Sequence, residues 1–190
     1  MTDSTLRYGK YCWDGTEEGT QYLSDQVAAI KGLNDDIKSH VVVRLYDSNA
    51  RDDMPHSLFW RNKLPNVELS DGTSLIAVQH SKARLVLCTT LGTSQIETMA
   101  QNIPTLIFCN PLIVTTRHEA DAIFLSLKAA GIYHETPESL YEHINQIWHN
   151  VDEWWHDPVT QGARNAYCLR YASKIDLPVW NLARLIRGSK

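Results

Sequence analysis

The 190-residue chain lacks several features that would place it in other protein classes. It has no apolar run long enough to cross a membrane. Its start, MTDSTLRYGK, has no apolar core of the kind that a signal peptide carries. With a net charge of −4 it also lacks the excess of positive charge typical of nucleic-acid-binding proteins. We therefore expect a cytoplasmic protein with no transmembrane segment and no nucleic-acid partner.

Metal-binding and disulfide patterns are missing as well. The four cysteines form no Cys-x-x-Cys pair, and the chain has no Asp-x-Asp motif. Asp52 and Asp53 are adjacent, but they lie in a polar, irregular stretch where a solvated loop is expected. Cys88 and Cys109 lie in apolar runs, where a free thiol usually behaves as a small hydrophobic group. We expect neither a metal site nor a cofactor.

What the sequence does contain is an alternation of short apolar runs and amphipathic stretches, clearest between residues 84 and 111. Residues 84–88 and 105–109 are predicted to be buried strands. Residues 95–102 carry apolar side chains at helical spacing until Ile103 and Pro104 end the helix. Two strands joined through a helix form a right-handed parallel crossover.

The same alternation continues along the chain and predicts an α/β fold, a Rossmann-like parallel sheet with helices on both faces and a helical C-terminal tail. We expect strands at 41–46, 67–69, 84–88, 105–109 and 132–134. We expect helices at 19–34, 74–82, 95–102, 115–130, 137–150, 159–173 and 177–186. For the helix at 115–130, Thr115 and Thr116 are the N-cap candidates and Gly131 is the expected C-cap. Residues 151–190 form the predicted tail, whose tryptophans, Trp154, Trp155 and Trp180, suit packing on a large surface.

The loop between the first strand and the helix of the crossover is the strongest candidate site. A helix N-terminus presents unpaired N–H groups and a partial positive charge, which suits a phosphate or diphosphate. Gly92 lets a ligand approach the backbone closely, and Thr90, Thr93 and Ser94 add hydroxyl groups. Glu97 lies about one turn into the helix, where its carboxylate could accept hydrogen bonds from two ribose hydroxyls.

The same residues also fit a helix that is merely capped. In that interpretation Thr93 or Ser94 is the N-cap and Glu97 closes a capping box. The local pattern does not separate the two alternatives. The segment has neither the Gly-Lys-Ser/Thr of a P-loop nor the Gly-x-Gly-x-x-Gly dinucleotide fingerprint.

Two further residues are expected at the carboxyl ends of strands, where open α/β sheets bind ligands. Arg44 interrupts the strand at 41–46, and its guanidinium suits phosphate oxygens. The alternative is a salt bridge between Arg44 and a neighbouring carboxylate. Asn110 directly follows the strand at 105–109 and is expected at the same crevice.

The segment Gly92-Thr93-Ser94, then Glu97, then a small-residue helix ending before Pro104 resembles the donor-binding segment of GT-B glycosyltransferases, Gly-Thr-x-x-x-Glu-Ala-x-x-x-x-x-Pro. Between residues 41 and 172 the chain is also similar to a family of bacterial surface-carbohydrate transferases. The shared segments are ARLV at 83–86, NIPT at 102–105, GIYHETPES at 131–139, WW at 154–155 and QGAR at 161–164.

The resemblance implies that residues 1–150 form a Rossmann-like domain that binds a nucleotide sugar. It implies that the loop at Gly92 contacts the phosphates, that Glu97 contacts the ribose, and that His134 lies on a strand close to the donor. Residues 59–61, Phe-Trp-Arg, match an aromatic and basic cluster that could stack a base or touch a sugar, or they form a surface helix. The tail at 151–190 would pack on this domain or on a missing N-terminal half.

The function implied is the sugar-nucleotide-binding half of a metal-independent glycosyltransferase of bacterial surface-carbohydrate synthesis. Such enzymes have a preceding acceptor-binding half, for which this chain has no room, so that half and the catalytic base are expected on a missing segment or a partner chain. One alternative is a non-catalytic module or regulatory subunit that binds a phosphorylated metabolite at the same loop. Another is an enzyme of related fold, such as a sugar-nucleotide epimerase.

Overall fold

The computed structural model describes residues 17–45, 55–70 and 73–173. Within these ranges every predicted strand is present, and each is shorter than predicted. The strands are β1 (Val42–Val43), β2 (Glu68–Leu69), β3 (Val86–Cys88), β4 (Thr105–Phe108) and β5 (Tyr133–His134). All their pairings are parallel, so the predicted α/β class is confirmed.

Helices surround these strands. In the described part of the chain they are α1 (Glu17–Lys31), α2 (Asp35–Lys38), α3 (Pro55–Lys63), α4 (Ile76–Lys82), α5 (Thr93–Ala100), α6 (Asp121–Ala129), α7 (Pro137–Ile147), α8 (Val151–His156) and α9 (Pro158–Tyr171). The helix predicted at 177–186 and the Asp52-Asp53 pair lie outside the described residues. No helix of the described ranges has the length and apolar character needed to span a membrane.

The strands of the described residues form two sheets instead of the single sheet that the sequence indicated. One sheet has the order β3-β4-β5, with Cys88 opposite Ile107 and Ile107 opposite Tyr133. The other consists of β1 and β2, with Val42 opposite Glu68. Because all pairs are parallel, β3 and β4 end at the same edge, and the loops that follow them are neighbours.

Strand β4 lies at the centre of the larger sheet and is buried on both faces, because its side chains alternate between two helical layers. Leu106 and Phe108 pack with α1, α2 and α7. Ile107 and Cys109 pack with α5, α6, α8 and α9. Helices therefore cover both faces, as the continuous apolar run of this strand predicted.

Two helices end in left-handed residues that direct the chain into the next strand. Asn102, after α5, has a φ of 58°, and the N–H of Ile103 donates to the carbonyl of Thr98 at 2.9 Å. Gly131, after α6, has a φ of 71°, and the N–H of Ile132 donates to Leu127 at 2.8 Å. Both are the Schellman type of helix ending, for which glycine and asparagine are the preferred residues.

The start of α6 differs from the prediction. The sequence indicated a helix from Thr115 or Thr116, but a short 3-10 helix at His118–Ala120 comes first, and α6 begins at Asp121. Neither threonine is the N-cap, since Ala120 occupies that position and no side chain caps the helix. The predicted C-terminal signal, Gly131, was correct.

The helices α8 and α9 pack on the sheet domain through the end of α5. The indole N–H of Trp155 lies 3.1 Å from both the backbone and the side-chain oxygen of Asn102. Gln161 also donates to the Asn102 side chain, at 3.1 Å. Arg164 donates to the carbonyl of Met99 at 2.7 Å, where a cation complements the negative end of α5. Hydrogen bonds from the segments WW (154–155) and QGAR (161–164) therefore connect residues 151–173 to the end of α5.

Candidate functional site

The loop after β3 opens α5 toward the carboxyl edge of the sheet, as predicted. Gly92 is the N-cap of α5, with a φ of −136°, and Thr93 is the first helical residue. The N-cap residue makes no side-chain cap, and no acidic residue lies in the first turn. Because glycine has no capping oxygen and no carboxylate of the first turn offsets the partial positive charge of α5, this helix end suits an anion.

The capping box that the sequence suggested is wrong in its residues. Thr93 and Ser94 are not the N-cap, and Glu97 does not close a box, because the helix begins earlier. Instead the side chain of Gln95 accepts a hydrogen bond from the N–H of Gly92 at 2.9 Å. This is half of a capping box, since glycine has no side chain with which to return the bond.

Gln95 connects this loop to the second helical layer, and sequence reasoning missed it. Its side chain is buried and also makes a hydrogen bond with Tyr167 of α9. Burial raises the pKa of Tyr167 to about 12, so the phenol is neutral. The signal was a glutamine three residues after a glycine at a helix start, the spacing of a capping box.

The described residues leave the space in front of Gly92 open. A Cβ atom built at this position would have one neighbour among them within 4 Å, the Thr90 hydroxyl oxygen at 3.9 Å. The φ of −136° is accessible to any residue, so backbone strain does not require a glycine here. A larger side chain at position 92 would project beside the N-terminus of α5 without displacing any atom of the described residues.

Asn110 lies at the same edge, but its polar atoms are already used by the protein. Its side-chain NH₂ donates to the Asp25 carboxylate at 2.8 Å, and its side-chain oxygen accepts from the N–H of Leu112 at 2.9 Å. Asp25 is 5% exposed and also accepts a bond from Gln21 at 2.6 Å. Asn110 therefore shapes the loop after β4 by linking it to α1.

A second contact fastens α1 to the loop after β3. The hydroxyl of Tyr22 lies 2.8 Å from the hydroxyl of Thr89. Tyr22 and Asp25 are one turn apart, so a single face of α1 holds both the loop after β3 and the loop after β4. Sequence reasoning missed Asp25. The available signal was a carboxylate three residues from Tyr22 on the apolar face of α1.

Arg44 does not lie with the α5 N-terminus in one cavity. Its Nη1 donates to the carbonyl of Ser74 at 2.9 Å and to the side-chain oxygen of Gln79 at 2.8 Å. It lines a cavity of about 590 Å³ that includes no residue of the loop at 89–94. The phosphate contact proposed for Arg44 from the sequence stays a prediction.

His134, at the carboxyl end of β5, lines another cavity, with α6 and α7. Its Nε2 lies 3.0 Å from the carbonyl of Gly131, and its Nδ1 lies 3.3 Å from the Ser139 hydroxyl. Burial, with a contribution from His143, lowers the pKa of His134 to about 4, so the ring is neutral at pH 7. Its contact with a donor stays a prediction too.

Other residues that the sequence analysis considered are buried in the core, or their proposed contact is untested. Trp60 is fully buried beside Val43 and Leu45, so it does not stack on a ligand. Burial, reinforced by Cys88, raises the pKa of the Cys109 thiol to about 12, which keeps it protonated. Glu97 is exposed on α5, and nothing in the structure tests its contact with a ribose.

Metal ligands do not cluster in the described ranges. No group of three or more histidine, cysteine, aspartate or glutamate side chains there could hold a metal ion.

The fold and this loop define the protein as a parallel α/β protein in which a helix begins at Gly92, at the carboxyl edge of the larger sheet. The chain matches the model of the LIC12162 family transferase over residues 2–186. It therefore belongs to that family, and its general role is that of a transferase. No curated protein and no solved structure matches it.

Proposed function

We propose that this transferase binds the phosphates of a sugar-nucleotide donor at the N-terminus of α5 and transfers the sugar. The main observation in support is that the N-cap of α5 is Gly92, which has no capping side chain, and that the first turn contains no acidic residue. Because β3 and β4 are parallel and paired, this helix end opens at the edge of the sheet where α/β proteins bind ligands. Membership of a transferase family supplies the donor substrate that such a site needs.

The proposed chemistry follows from the charge of the leaving group. When the bond between the sugar and the phosphate breaks, negative charge builds on the departing phosphate. The amides of Thr93 and Ser94, with the dipole of α5, would stabilise that charge more strongly in the transition state than in the ground state. Thr90 and Ser94 supply hydroxyl groups at the same place, and Glu97 is assigned to the ribose.

The wider role proposed is that of the donor-binding half of a metal-independent glycosyltransferase in bacterial surface-carbohydrate synthesis. The acceptor and the general base would then come from a partner chain or another segment. In support, the carboxylate of Asp25 is bonded to Asn110, and the hydroxyls of Tyr22 and Thr89 are bonded to each other. These groups hold the two loops in place, so none of them is assigned as the base. The alternative, a module that binds a phosphorylated metabolite without catalysis, predicts binding with no turnover.

Titration calorimetry against UDP, GDP, CMP and dTDP tests the proposal. We expect one nucleotide to bind selectively, and Gly92→Val to weaken it at least about tenfold by filling the space beside the amides. Gly162→Val on α9 is the matched control, because Gly162 is also exposed and a Cβ atom built there would have no neighbour within 4 Å among the described residues. Glu97→Ala should weaken nucleosides and nucleotides alike, whereas the exposed Glu18→Ala on α1 should change neither.

Two results would overturn the assignment. One is the absence of nucleotide binding by a folded protein. The other is equal affinity of the Gly92→Val and Gly162→Val variants. Release of free sugar from the bound nucleotide sugar would support a transferase over a binding module, because hydrolysis is the usual side reaction when water replaces the acceptor.

A further inference from the structure

The amino end of β3 borders a cavity of about 590 Å³, far along the strands from the α5 N-terminus. Its lining comes from the segments that lead into β1 and β3, from α2 and α4, and from the last turn of α7. This volume is within the range of small-molecule sites. None of the residues assigned to the donor loop contributes to it.

The inner wall of the cavity is aliphatic. It is formed by residues that share a branched hydrocarbon side chain and come from α1 and the turn after it, α2, α7 and the segments that lead into β1 and β3, namely Ile30, Leu33, Ile37, Val41, Leu85 and Ile144. Such a wall matches an alkyl chain, whose burial is favourable in proportion to the apolar area removed from water. Of the aromatic rings that line the cavity, those of His40 and Trp148 pack on each other with their centres 5.8 Å apart.

The rim of the cavity is cationic, although the whole chain has a net charge of −4. Among the described residues, Arg44, Lys82 and Arg84 line it, against one carboxylate, that of Glu68. The last carbonyls of nearby helices carry partial negative charge, and Arg84 offsets one of them by donating to His149 at 3.3 Å. Lys82 is exposed and has no hydrogen-bond or ion-pair partner among the described residues, so its charge is available to a ligand.

A buried histidine adds a polar group that the protein itself does not satisfy. His80 lines the cavity, is 4% exposed, and its Nε2 has no hydrogen-bond partner in the described part of the chain. Leaving a buried polar nitrogen unbonded costs about 1–3 kcal/mol. A ligand oxygen beside this nitrogen would remove that cost.

We propose that this cavity binds a single-chain alkyl phosphate, with the chain against the aliphatic wall and the phosphate between His80 and Lys82. The aliphatic wall selects the chain, and the cationic rim selects the charge. The ring of Trp148, with the Arg84 guanidinium 5.1 Å from its centre, closes one side of the mouth. This site does not depend on the sugar-nucleotide site, since the two lie at opposite ends of β3.

Titration calorimetry with monomeric decyl phosphate, kept below its micelle concentration, tests the proposal. We expect saturable binding of one molecule per chain. Ala83 is exposed and lines the cavity, so Ala83→Phe should block the mouth and weaken binding at least about tenfold. Ala77→Phe is the matched control, because Ala77 is exposed on α4 and does not line the cavity.

The charge is tested in the same way. Lys82→Glu should weaken decyl phosphate at least about fivefold, the effect of losing and then reversing a partly solvated ion contact. Lys31→Glu makes the same change in the last turn of α1, at a residue that does not line the cavity, and should leave the affinity unchanged. Decyltrimethylammonium, with the same chain and the opposite charge, should bind more weakly than decyl phosphate.

Three outcomes would overturn the proposal: no saturable binding, equal affinity for decyltrimethylammonium, or equal effects of Ala83→Phe and Ala77→Phe. Inorganic phosphate that binds as tightly as decyl phosphate would also overturn it, because the decyl group would then contribute nothing to the affinity. If Ala83→Phe fails to fold, the Lys82→Glu and Lys31→Glu pair decides. Gly92→Val should leave decyl phosphate binding intact, so this proposal and the sugar-nucleotide proposal fail separately.

Discussion

The two ends of β3 are built in different ways. At the carboxyl end, which we call the loop end (residues 89–94), hydrogen bonds hold the chain, from Tyr22 to Thr89 and from Gly92 to Gln95. At the amino end, which we call the cavity end (residues 82–85), aliphatic side chains border an open space with a cationic rim. Hydrogen bonds are directional, so they fix the positions of amides and hydroxyls at the loop end. Apolar packing is not directional, so the shape of the cavity depends on the volumes of the side chains around it.

The largest expected effect is at the cavity end. Ile37 is 2% exposed and packs with Leu87 and Leu106. Ile37→Ala should lower the free energy of unfolding by about 2–5 kcal/mol, since it removes buried methyl groups beside an existing cavity. Urea denaturation measures this loss, and Ile37→Val should cost only about 0.5–1.5 kcal/mol. If Ile37→Ala also weakened nucleotide binding at the loop end by a comparable free energy, the two ends of β3 would not be independent.

The next effect is a loss of stability in acid. Burial lowers the pKa of His80 and of His134, the latter to about 4, from an ordinary value of 6.5. The unfolded chain therefore takes up protons that the native chain does not bind, so stability is complete above pH 6.5 and falls between pH 6.5 and 4. For His134 the loss reaches about 3 kcal/mol. Unfolding by urea at a series of pH values should show this fall, and His134→Gln should flatten it.

At the loop end the bond between Asp25 and Asn110 is expected to be worth less than the core contacts. Asp25→Ala leaves the Asn110 NH₂ group unpaired and should cost about 1–3 kcal/mol. The exchanged pair, Asp25→Asn with Asn110→Asp, restores a donor facing an acceptor and should recover part of the loss. A double-mutant cycle measures the coupling free energy. A coupling of zero would mean that this bond does not hold the loop after β4.

The buried histidines should respond differently to replacement by phenylalanine. His134→Phe removes the partner of the Gly131 carbonyl and should cost about 1–3 kcal/mol at pH 7.5. His80→Phe removes a nitrogen that has no partner among the described residues, so we expect no loss of stability and a gain of up to about 1–3 kcal/mol. Thermal or urea unfolding of the two variants gives this comparison. A large loss in His80→Phe would indicate a structural role for that ring nitrogen.

The smallest effect is expected at the rim of the cavity. The Arg84 guanidinium lies 5.1 Å from the centre of the Trp148 ring. Arg84→Met keeps most of the side-chain length but removes the charge, and it should cost about 0.5–1 kcal/mol. Urea denaturation of this variant, with Trp148→Phe as its partner in a double-mutant cycle, isolates the contact. No coupling between the two would show that the ring and the cation are independent.

Much of the fold could be predicted from the sequence because the main signals are local. The continuous apolar run at 105–109 identified β4 as a strand covered on both faces, and Gly131 identified the end of α6. The helix start at Thr115 was wrong because two threonines suit a cap whether or not the chain continues as a helix there. Strand lengths were overestimated because apolar residues also fill the space beside a strand.

The candidate site could be predicted only in part. Thr90, Gly92, Thr93 and Ser94 are one loop in the sequence, so their proximity needed no tertiary information. Gln95 and Asp25 were missed because their partners, Tyr167 and Asn110, are far away along the chain. Arg44 and His134 were grouped with the loop by their places at strand ends, yet each lines a different cavity.

The sequence by itself determined the parallel α/β class, the crossover from β3 to β4 and the helix that opens at Gly92, because each follows from the order and spacing of nearby residues. Only the tertiary structure decided that α1 clamps both loops, that α9 supports Gln95, and that a cavity with a cationic rim lies at the other end of β3. These features depend on contacts between distant segments, and hydrophobic periodicity specifies which face of an element is buried without specifying its partner.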